Sequence, residues 1–139
     1  MLPAKSGRLL DIGCAGGTFL DEARTEGFEV AGIELNPSMA EHARATYHLD
    51  VMISRIEDVP LNTWSRAFDI VTLLDCLEHV PQPLAAIRKI HRWLRPGGHV
   101  FIRGPLSNSP IAIAKESLRR ILGVAKRLPG YPLDANMFN

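Results

Sequence analysis

The sequence is poor in cysteine and in charge of one sign. Its two cysteines, Cys14 and Cys76, are far apart, and neither has a second cysteine nearby, which argues against a disulfide framework and a cysteine-based metal site. The 16 lysines and arginines are interspersed with 15 aspartates and glutamates, so we expect no dense basic surface and no nucleic-acid partner. Cysteine usage of this kind is typical of a reducing compartment.

The sequence also lacks a long apolar run. No stretch reaches the roughly 18 apolar residues of a membrane-spanning helix, and the apolar pair Leu9 and Leu10 is too short for the core of a signal peptide. We therefore expect a cytoplasmic protein without a membrane partner. Hydrophobic residues make up 46% of the 139 residues, which suits one domain with its own core. We predict a single domain over 1–139, with its core in 1–105 and a helix and tail in 106–139.

Short apolar runs alternate with segments of helical spacing. The runs predict β-strands at 8–12, 28–33, 51–53, 68–74 and 99–103. Helices are predicted at 18–25, from 36–38 onwards, from 81–83 until the sequence PGG at 96–98 ends the helix, and at 111–128. On the third of these helices, the residues expected on the buried side are Leu84, Ile87, Ile90 and Leu94. This alternation predicts an α/β fold, a Rossmann-like three-layer αβα sandwich with a mostly parallel sheet of about five strands.

The first predicted strand runs into a glycine-rich loop of sequence DIGCAGG, which begins at Asp11. Small residues let a backbone turn tightly and approach a ligand closely. A dinucleotide-binding fingerprint would need glycine where the sequence has Ala15 and Thr18, so a nicotinamide-binding domain is disfavoured. The Asp11 carboxylate would be unfavourable beside a pyrophosphate. It is better suited to bind an ammonium group of a ligand, or to accept hydrogen bonds from the loop amides and so organise the loop.

A second acidic residue, Glu34, ends the second predicted strand about twenty residues beyond Gly13. At this separation a carboxylate can accept hydrogen bonds from both hydroxyls of a ribose. Ligands of such sheets bind outside the carboxyl ends of the strands, so both acidic residues lie where a ligand is expected.

With these features the sequence resembles the class I S-adenosylmethionine-dependent methyltransferases. The segment 10–17 matches the first motif of that family, with Ala15 in place of the usual central glycine. The segments FDIV at 68–71 and DCLEHV at 75–80 are similar to the fourth-strand motif, in the EHV form of small-molecule O-methyltransferases similar to those of quinone biosynthesis. LRPGG at 94–98 is a further family feature, and the resemblance covers 8–105.

The resemblance implies a strand order of 3-2-1-4-5 and S-adenosyl-L-methionine as cofactor, with S-adenosyl-L-homocysteine as product. It implies a small-molecule acceptor, for which we favour a hydroxyl. The cofactor-binding residues it implies are Asp11, Gly13, Cys14, Ala15 and Gly17 around the methionine part, Glu34 at the ribose, Leu35 on the adenine, Ile56 and Glu57 at the adenine edge, and Asp75 and Cys76 beside the methionyl amino group. Arg55 departs from the acidic residue frequent there, which leaves adenine recognition to backbone groups.

Methyl transfer from a sulfonium mainly requires alignment and exclusion of water. A hydroxyl acceptor would also benefit from a general base of near-neutral pKa, and His79 is the candidate, with a loop-shaping role as the alternative. Asp75, Glu78 and His79 also resemble a metal site of some quinone-type relatives. We favour Glu78 as a helix-dipole or salt-bridge partner and expect no metal.

The resemblance stops short at both ends of the chain, where this family usually has further segments, including a terminal antiparallel hairpin. We therefore expect a minimal or truncated core. The strand at 99–103 would then be an open sheet edge, which favours a homodimer. The main alternative to an enzyme is a methyltransferase-like module that binds the cofactor, or nothing, and acts through protein contacts.

Overall fold

The computed structural model describes residues 7–104, which form a parallel sheet with helices on both faces. The elements in chain order are β1 (Arg8–Ile12), α1 (Thr18–Thr25), β2 (Glu29–Glu34), α2 (Pro37–Tyr47), β3 (Val51–Ile53), β4 (Phe68–Leu74), a short 3₁₀ turn (Leu77–His79), α3 (Pro83–Trp93) and β5 (Leu94–Arg103). The strand order is β3-β2-β1-β4-β5, and all four pairings are parallel. The predicted fold class and strand order are confirmed. The helix predicted at 111–128, the tail and the question of a terminal hairpin lie outside the described residues.

The core consists of two apolar clusters, one on each face of the sheet. Alternating side chains of β1 reach both, because Leu10 and Ile12 belong to the cluster under α3, whereas Leu9 belongs to the cluster under α1 and α2. Within the described residues the molecule is thus layered as helix, sheet and helix, and the carboxyl ends of the strands meet at one edge.

The end of α3 differs from the prediction. The helix stops at Trp93, and Leu94 already pairs with Phe68 in the sheet, while Ile70 pairs with His99. The intervening residues bulge out of β5, because the sequence PGG cannot continue a helix and Gly97 takes a φ of 81°.

The predicted buried side of α3 was wrong at one position. Leu84 is 37% exposed, and the residues that face the core are Ala86, Ile87, Ile90 and Trp93. The Trp93 ring is fully buried, and its Nε1 donates a hydrogen bond to the Leu61 carbonyl at 3.1 Å. This bond satisfies the polar atom of a buried indole and fixes the rotation of the helix.

No helix in the described part of the chain is long and apolar enough to cross a membrane.

Candidate functional site

The glycine-rich loop begins where β1 ends and folds across the carboxyl end of β2. The main-chain N–H groups of Gly13 and Cys14 both donate to the Ile33 carbonyl, at 2.8 and 3.1 Å, and the Gly17 N–H donates to the Cys14 carbonyl at 3.0 Å. These bonds hold a tight turn at the sheet edge. The turn lies beside the point between β1 and β4 at which the strand order reverses, where ligands of such sheets bind.

Two glycines of the loop are required by close packing. A Cβ on Gly13 would lie 2.8 Å from the Cys76 sulfur, and one on Gly17 would lie 2.6 Å from Leu49 Cδ1 and 2.8 Å from Ala43 Cβ. Both glycines also have positive φ, 76° and 85°. The loop is therefore clamped between the end of β4 on one side and α2 on the other.

Ala15 is an exposed residue in the left-handed region, with a φ of 48°. This is the position at which the resemblance led us to expect glycine. A Cβ in this region crowds the following carbonyl oxygen, which costs about 1–2 kcal/mol. The loop thus retains the glycine conformation although a methyl group is present, and part of its strain comes from this one residue.

Ala15→Gly is therefore expected to stabilise the chain by about 0.5 to 1 kcal/mol, because relief of the strain exceeds the extra chain entropy of glycine. The free energy of unfolding from urea titration measures it. Ala45→Gly is the matched control, since Ala45 is an exposed residue within α2 with no such strain. Ala45→Gly should lower the free energy of unfolding by about 1 kcal/mol, which is a change of the opposite sign. A decrease for both variants would show that Ala15 is not strained.

Glu34 connects the loop to the start of α2. Its Oε2 accepts a hydrogen bond from the Ala15 N–H at 2.8 Å, and its Oε1 accepts one from the Asn36 N–H at 2.7 Å. Asn36 in turn caps α2, since its Oδ1 accepts from the Ser38 N–H at 3.0 Å. Each carboxylate oxygen can accept a second hydrogen bond, so Glu34 can stabilise the loop and still accept hydrogen bonds from two hydroxyl groups.

Asp11 is a buried carboxylate at the carboxyl end of β1, only 3% exposed. Burial raises its pKa to about 6; the Thr72 hydrogen bond opposes this shift, and the nearby Glu34 charge adds to it. The Thr72 hydroxyl donates to Asp11 Oδ1 at 2.6 Å. Sequence reasoning missed Thr72, although a polar residue within the apolar run of β4 was a usable signal. Asp11 and Thr72 are aligned partners in the β1–β4 pairing.

Cys76 lies half-buried against Gly13, at the centre of a group of carboxylates. The pKa of its thiol is raised to about 11, mainly by burial and then by the charges of Asp11, Glu78, Glu34 and Glu57, in that order. We call these four carboxylates the acidic cradle. Within residues 7–104, Glu57 Oε1 and Glu78 Oε2 are buried and accept no hydrogen bond. A site with this charge and these unused acceptors favours a cationic ligand that carries N–H or O–H donors.

Asp75 faces the end of β5. Its φ is 54°, its N–H donates to the Arg103 carbonyl at 2.7 Å, and its Oδ2 accepts from Arg103 Nε at 3.1 Å and Nη2 at 2.6 Å. Arg103 was not identified from the sequence, because its pairing with Asp75 depends on the β4–β5 register.

His79 ends the 3₁₀ turn as an exposed residue. No three His, Cys, Asp or Glu side chains in the described part of the chain are grouped so that they could hold a metal ion, and this includes Asp75, Glu78 and His79.

The remaining predicted residues differ in exposure. The Cys14 side chain is buried in the core under α1 and α2, and burial raises the pKa of its thiol to about 12. Only the main chain of Cys14 therefore faces the carboxyl ends of the strands. Ile56 is likewise buried. Leu35 is the most exposed of the large apolar residues in the described range, at 56%, and directly follows Glu34.

A parallel sheet in this order, with a carboxylate-led glycine turn at the strand-order reversal and an acidic residue at the end of β2, is typical of α/β domains that bind a nucleoside cofactor. A family model described as a methyltransferase domain matches residues 1–136. The chain therefore belongs to the methyltransferase domain family, in agreement with the resemblance seen in its sequence.

The chain is also similar to individual curated proteins and solved structures. Over 112 residues the chain is 36% identical to the ubiquinone biosynthesis O-methyltransferase of Xanthomonas oryzae pv. oryzae (strain PXO99A). The aligned region covers 77% of this chain and 46% of that protein. A solved S-adenosylmethionine-dependent methyltransferase from Mesorhizobium loti is 28% identical with a TM-score of 0.67, covering 75% of this chain and 49% of the other. The [4+2]-cyclase SpnF is 26% identical with a TM-score of 0.67, covering 84% and 51%. The chain spans about half the length of the curated relatives it matches.

Proposed function

We propose that the chain binds S-adenosyl-L-methionine and transfers its methyl group to a small-molecule acceptor, preferably a hydroxyl. The observation that carries this proposal is the connection of two acidic residues through one glycine turn. Asp11 precedes the turn, and Glu34 accepts a hydrogen bond from its central N–H at 2.8 Å. In this proposal the Asp11 carboxylate suits the ammonium group of the ligand and the Glu34 carboxylate suits its ribose, and the glycine turn lies between them. The family and the O-methyltransferase relatives support the same reading.

In the proposed complex the methionine part lies along the glycine turn, near Asp11, Asp75 and Cys76. The ribose hydroxyls donate to the free lone pairs of Glu34. The adenine packs on the exposed Leu35, and its edge meets the loop after β3 at Ile56 and Glu57. Ile56 contributes through its main chain, because its side chain is buried.

The charge of the acidic cradle distinguishes this cofactor from a dinucleotide. S-adenosylmethionine carries a sulfonium and an ammonium group, both of which a cluster of carboxylates attracts. A pyrophosphate would be repelled by the same carboxylates. Transfer of the methyl group neutralises the sulfur, so the cradle attracts the product less strongly than the donor.

The proposed reaction is an in-line displacement. The acceptor oxygen forms a bond to the methyl carbon while the carbon–sulfur bond breaks, and the electron pair of that bond stays on the sulfur. The hydroxyl proton must leave, and we propose His79 as the base that accepts it. The main work of the remaining residues is to align the reactants and exclude water.

His79→Gln is expected to lower kcat for a hydroxyl acceptor by about 100-fold near neutral pH, because the general base is lost. The KM for S-adenosylmethionine should change little. Steady-state rates measure both constants, and His91→Gln, an exposed histidine on α3, is the control. If His79→Gln retained kcat within twofold, its role would be to shape the loop.

Methyl transfer itself has to be measured, because one structural neighbour of similar fold is named a [4+2]-cyclase. The chain is incubated with S-adenosylmethionine labelled in the methyl group and a panel of catechols, sugars and amines. Label in a catechol product supports the proposal, and label in an amine alone would contradict the hydroxyl preference. Binding of the cofactor without transfer to any acceptor would favour the binding module instead.

We also propose a cytoplasmic location and a homodimer through β5. The two free cysteines support the location. Within residues 7–104, β5 is the outer strand of the sheet beside β4, which supports the dimer. Size-exclusion chromatography with light scattering tests the assembly, and a stable monomer would contradict it.

A further inference from the structure

Lys89, on α3, makes three hydrogen bonds with the loop that follows β3. Its ammonium Nζ donates to the main-chain carbonyls of Ile56 at 2.9 Å, Glu57 at 2.7 Å and Val59 at 2.6 Å. The side chain is partly buried, and no motif of the sequence pointed to it. Three carbonyls of one short loop thus converge on a single cation that lies 30 to 33 residues later in the chain.

The chemistry of this contact suits lysine alone. An ammonium group has three donors, and the three carbonyls use all of them. Hydrogen bonds from a charged donor are stronger than those between neutral groups. A guanidinium has a planar fork of donors and cannot direct three of them at carbonyls that converge on one point. The aliphatic stem of Lys89 can be replaced by methionine, whereas the ammonium cannot.

Besides Lys89, the loop is held by its own main-chain bonds and by the buried side chains of Ile56 and Val59, which belong to the core under α3. Its start is joined to β2 by the Ser54 N–H, which donates to the Glu34 carbonyl at 3.1 Å, and the Asp58 N–H donates to the Arg55 carbonyl at 3.2 Å. Between these bonds lie Ile56 and Glu57, where the loop meets the proposed adenine edge. Without Lys89 the carbonyls of Ile56, Glu57 and Val59 would lose their charged donor, while the buried Ile56 and Val59 side chains would keep the loop attached to the core.

We propose that Lys89 is a positioning residue that fixes the base-recognition loop, 55–59, for the nucleobase of the cofactor. It acts through the main chain of that loop and does not touch the cofactor. The inference rests on the proposed function, since it assigns the adenine edge to this loop. A rigid loop that presents acceptors, including the buried Glu57 Oε1, can distinguish the 6-amino group of adenine from the 6-oxo group of hypoxanthine.

The test compares S-adenosylhomocysteine with S-inosylhomocysteine by calorimetric titration. The wild type should prefer the adenine ligand. Lys89→Met should bind S-adenosylhomocysteine about tenfold more weakly and bind S-inosylhomocysteine nearly unchanged, because only the reading of the base is lost. Arg88→Met, which removes an exposed cation from the neighbouring position, should behave as the wild type. Amide exchange should rise at 56–59 in Lys89→Met and stay slow in β1.

A chemical rescue separates positioning from a general structural effect. In Lys89→Cys, alkylation with 2-bromoethylamine rebuilds an ammonium of nearly the original length. Cys14 and Cys76 should react slowly, because they are buried and half-buried and the pKa values of their thiols are raised to about 12 and about 11. The same treatment of the wild type is the control. The modified variant should recover the affinity for S-adenosylhomocysteine to within threefold and the preference over the inosyl ligand.

Equal weakening for both ligands, unchanged binding in Lys89→Met, or failure of the alkylated variant to recover would each overturn the role of Lys89. These outcomes leave the proposed function intact, provided that the wild type binds S-adenosylhomocysteine. If the folded wild type binds neither ligand, the proposed function fails, and the inference about Lys89 fails with it.

Discussion

Glu34→Ala is expected to weaken the binding of S-adenosylhomocysteine about 1000-fold. In the proposed complex two ribose hydroxyls donate to a charged acceptor, and such hydrogen bonds contribute about 1.5 to 3 kcal/mol each. The substitution also removes the acceptor of the Ala15 and Asn36 N–H groups, so the glycine turn loses its connection to α2. Calorimetric titration of the purified variant measures the loss.

A matched variant separates this effect from a change in overall charge. Glu41→Ala removes another carboxylate from the same region, on the exposed side of α2, where Glu41 pairs with Arg44. Exposed pairs of this kind contribute little, so its affinity should stay within twofold of the wild type. If Glu34→Ala bound the product within fivefold of the wild type, Glu34 would not hold the ribose.

Asp11→Asn is expected to stabilise the fold at pH 8 by about 3 kcal/mol while it weakens binding of the methyl donor. Each pH unit by which a pKa is raised corresponds to about 1.4 kcal/mol, and burial raises the pKa of Asp11 from 3.8 to about 6. The buried charge therefore destabilises the native state. Asparagine removes the charge and keeps an oxygen that can accept from the Thr72 hydroxyl.

The pH dependence of this gain has a definite sign. Between pH 3.8 and 6 the native state binds a proton at Asp11 that the unfolded state has released, so the contribution of this residue to stability falls as the pH rises through 6. The advantage of Asp11→Asn is thus full above pH 7 and about half as large at pH 5. Urea unfolding at pH 5 and pH 8 measures it, with the exposed Asp50→Asn as control. A gain that did not shrink at pH 5 would contradict the raised pKa.

Retention of a destabilising carboxylate is consistent with a functional role for Asp11. Sites that bind ligands frequently contain groups that lower the stability of the fold. If the Asp11 charge attracts the ammonium group of the cofactor, Asp11→Asn should reduce the affinity for S-adenosylmethionine at pH 8, where the wild-type residue is ionised.

The sequence predicted the architecture well, because the signals that determine it are local. The strand bounds of β1, β3 and β4 follow from short apolar runs, and the glycine turn follows from its composition. The bounds of β5 were missed, because Leu94 joins the sheet through a bulge that only its pairing with Phe68 reveals.

The supporting residues of the site were harder to predict, since each acts across a long sequence separation. Thr72 reaches Asp11 because β1 and β4 are neighbours, and Lys89 reaches the loop after β3 because α3 covers that face of the sheet. Nothing in the residues around Lys89 indicates that its ammonium will meet three carbonyls. For Ala15 the sequence showed that alanine replaces the usual central glycine of the motif, and the structure added that its φ is 48°.

We propose above all that the carboxylate-led glycine turn and Glu34 hold one nucleoside–amino-acid ligand. Calorimetric titration of the wild-type chain with S-adenosylhomocysteine, with NAD as the comparison ligand, tests it most directly. We expect saturable binding of one S-adenosylhomocysteine per chain and no binding of NAD. A chain that circular dichroism shows to be folded, yet that binds neither S-adenosylhomocysteine nor S-adenosylmethionine, would contradict it.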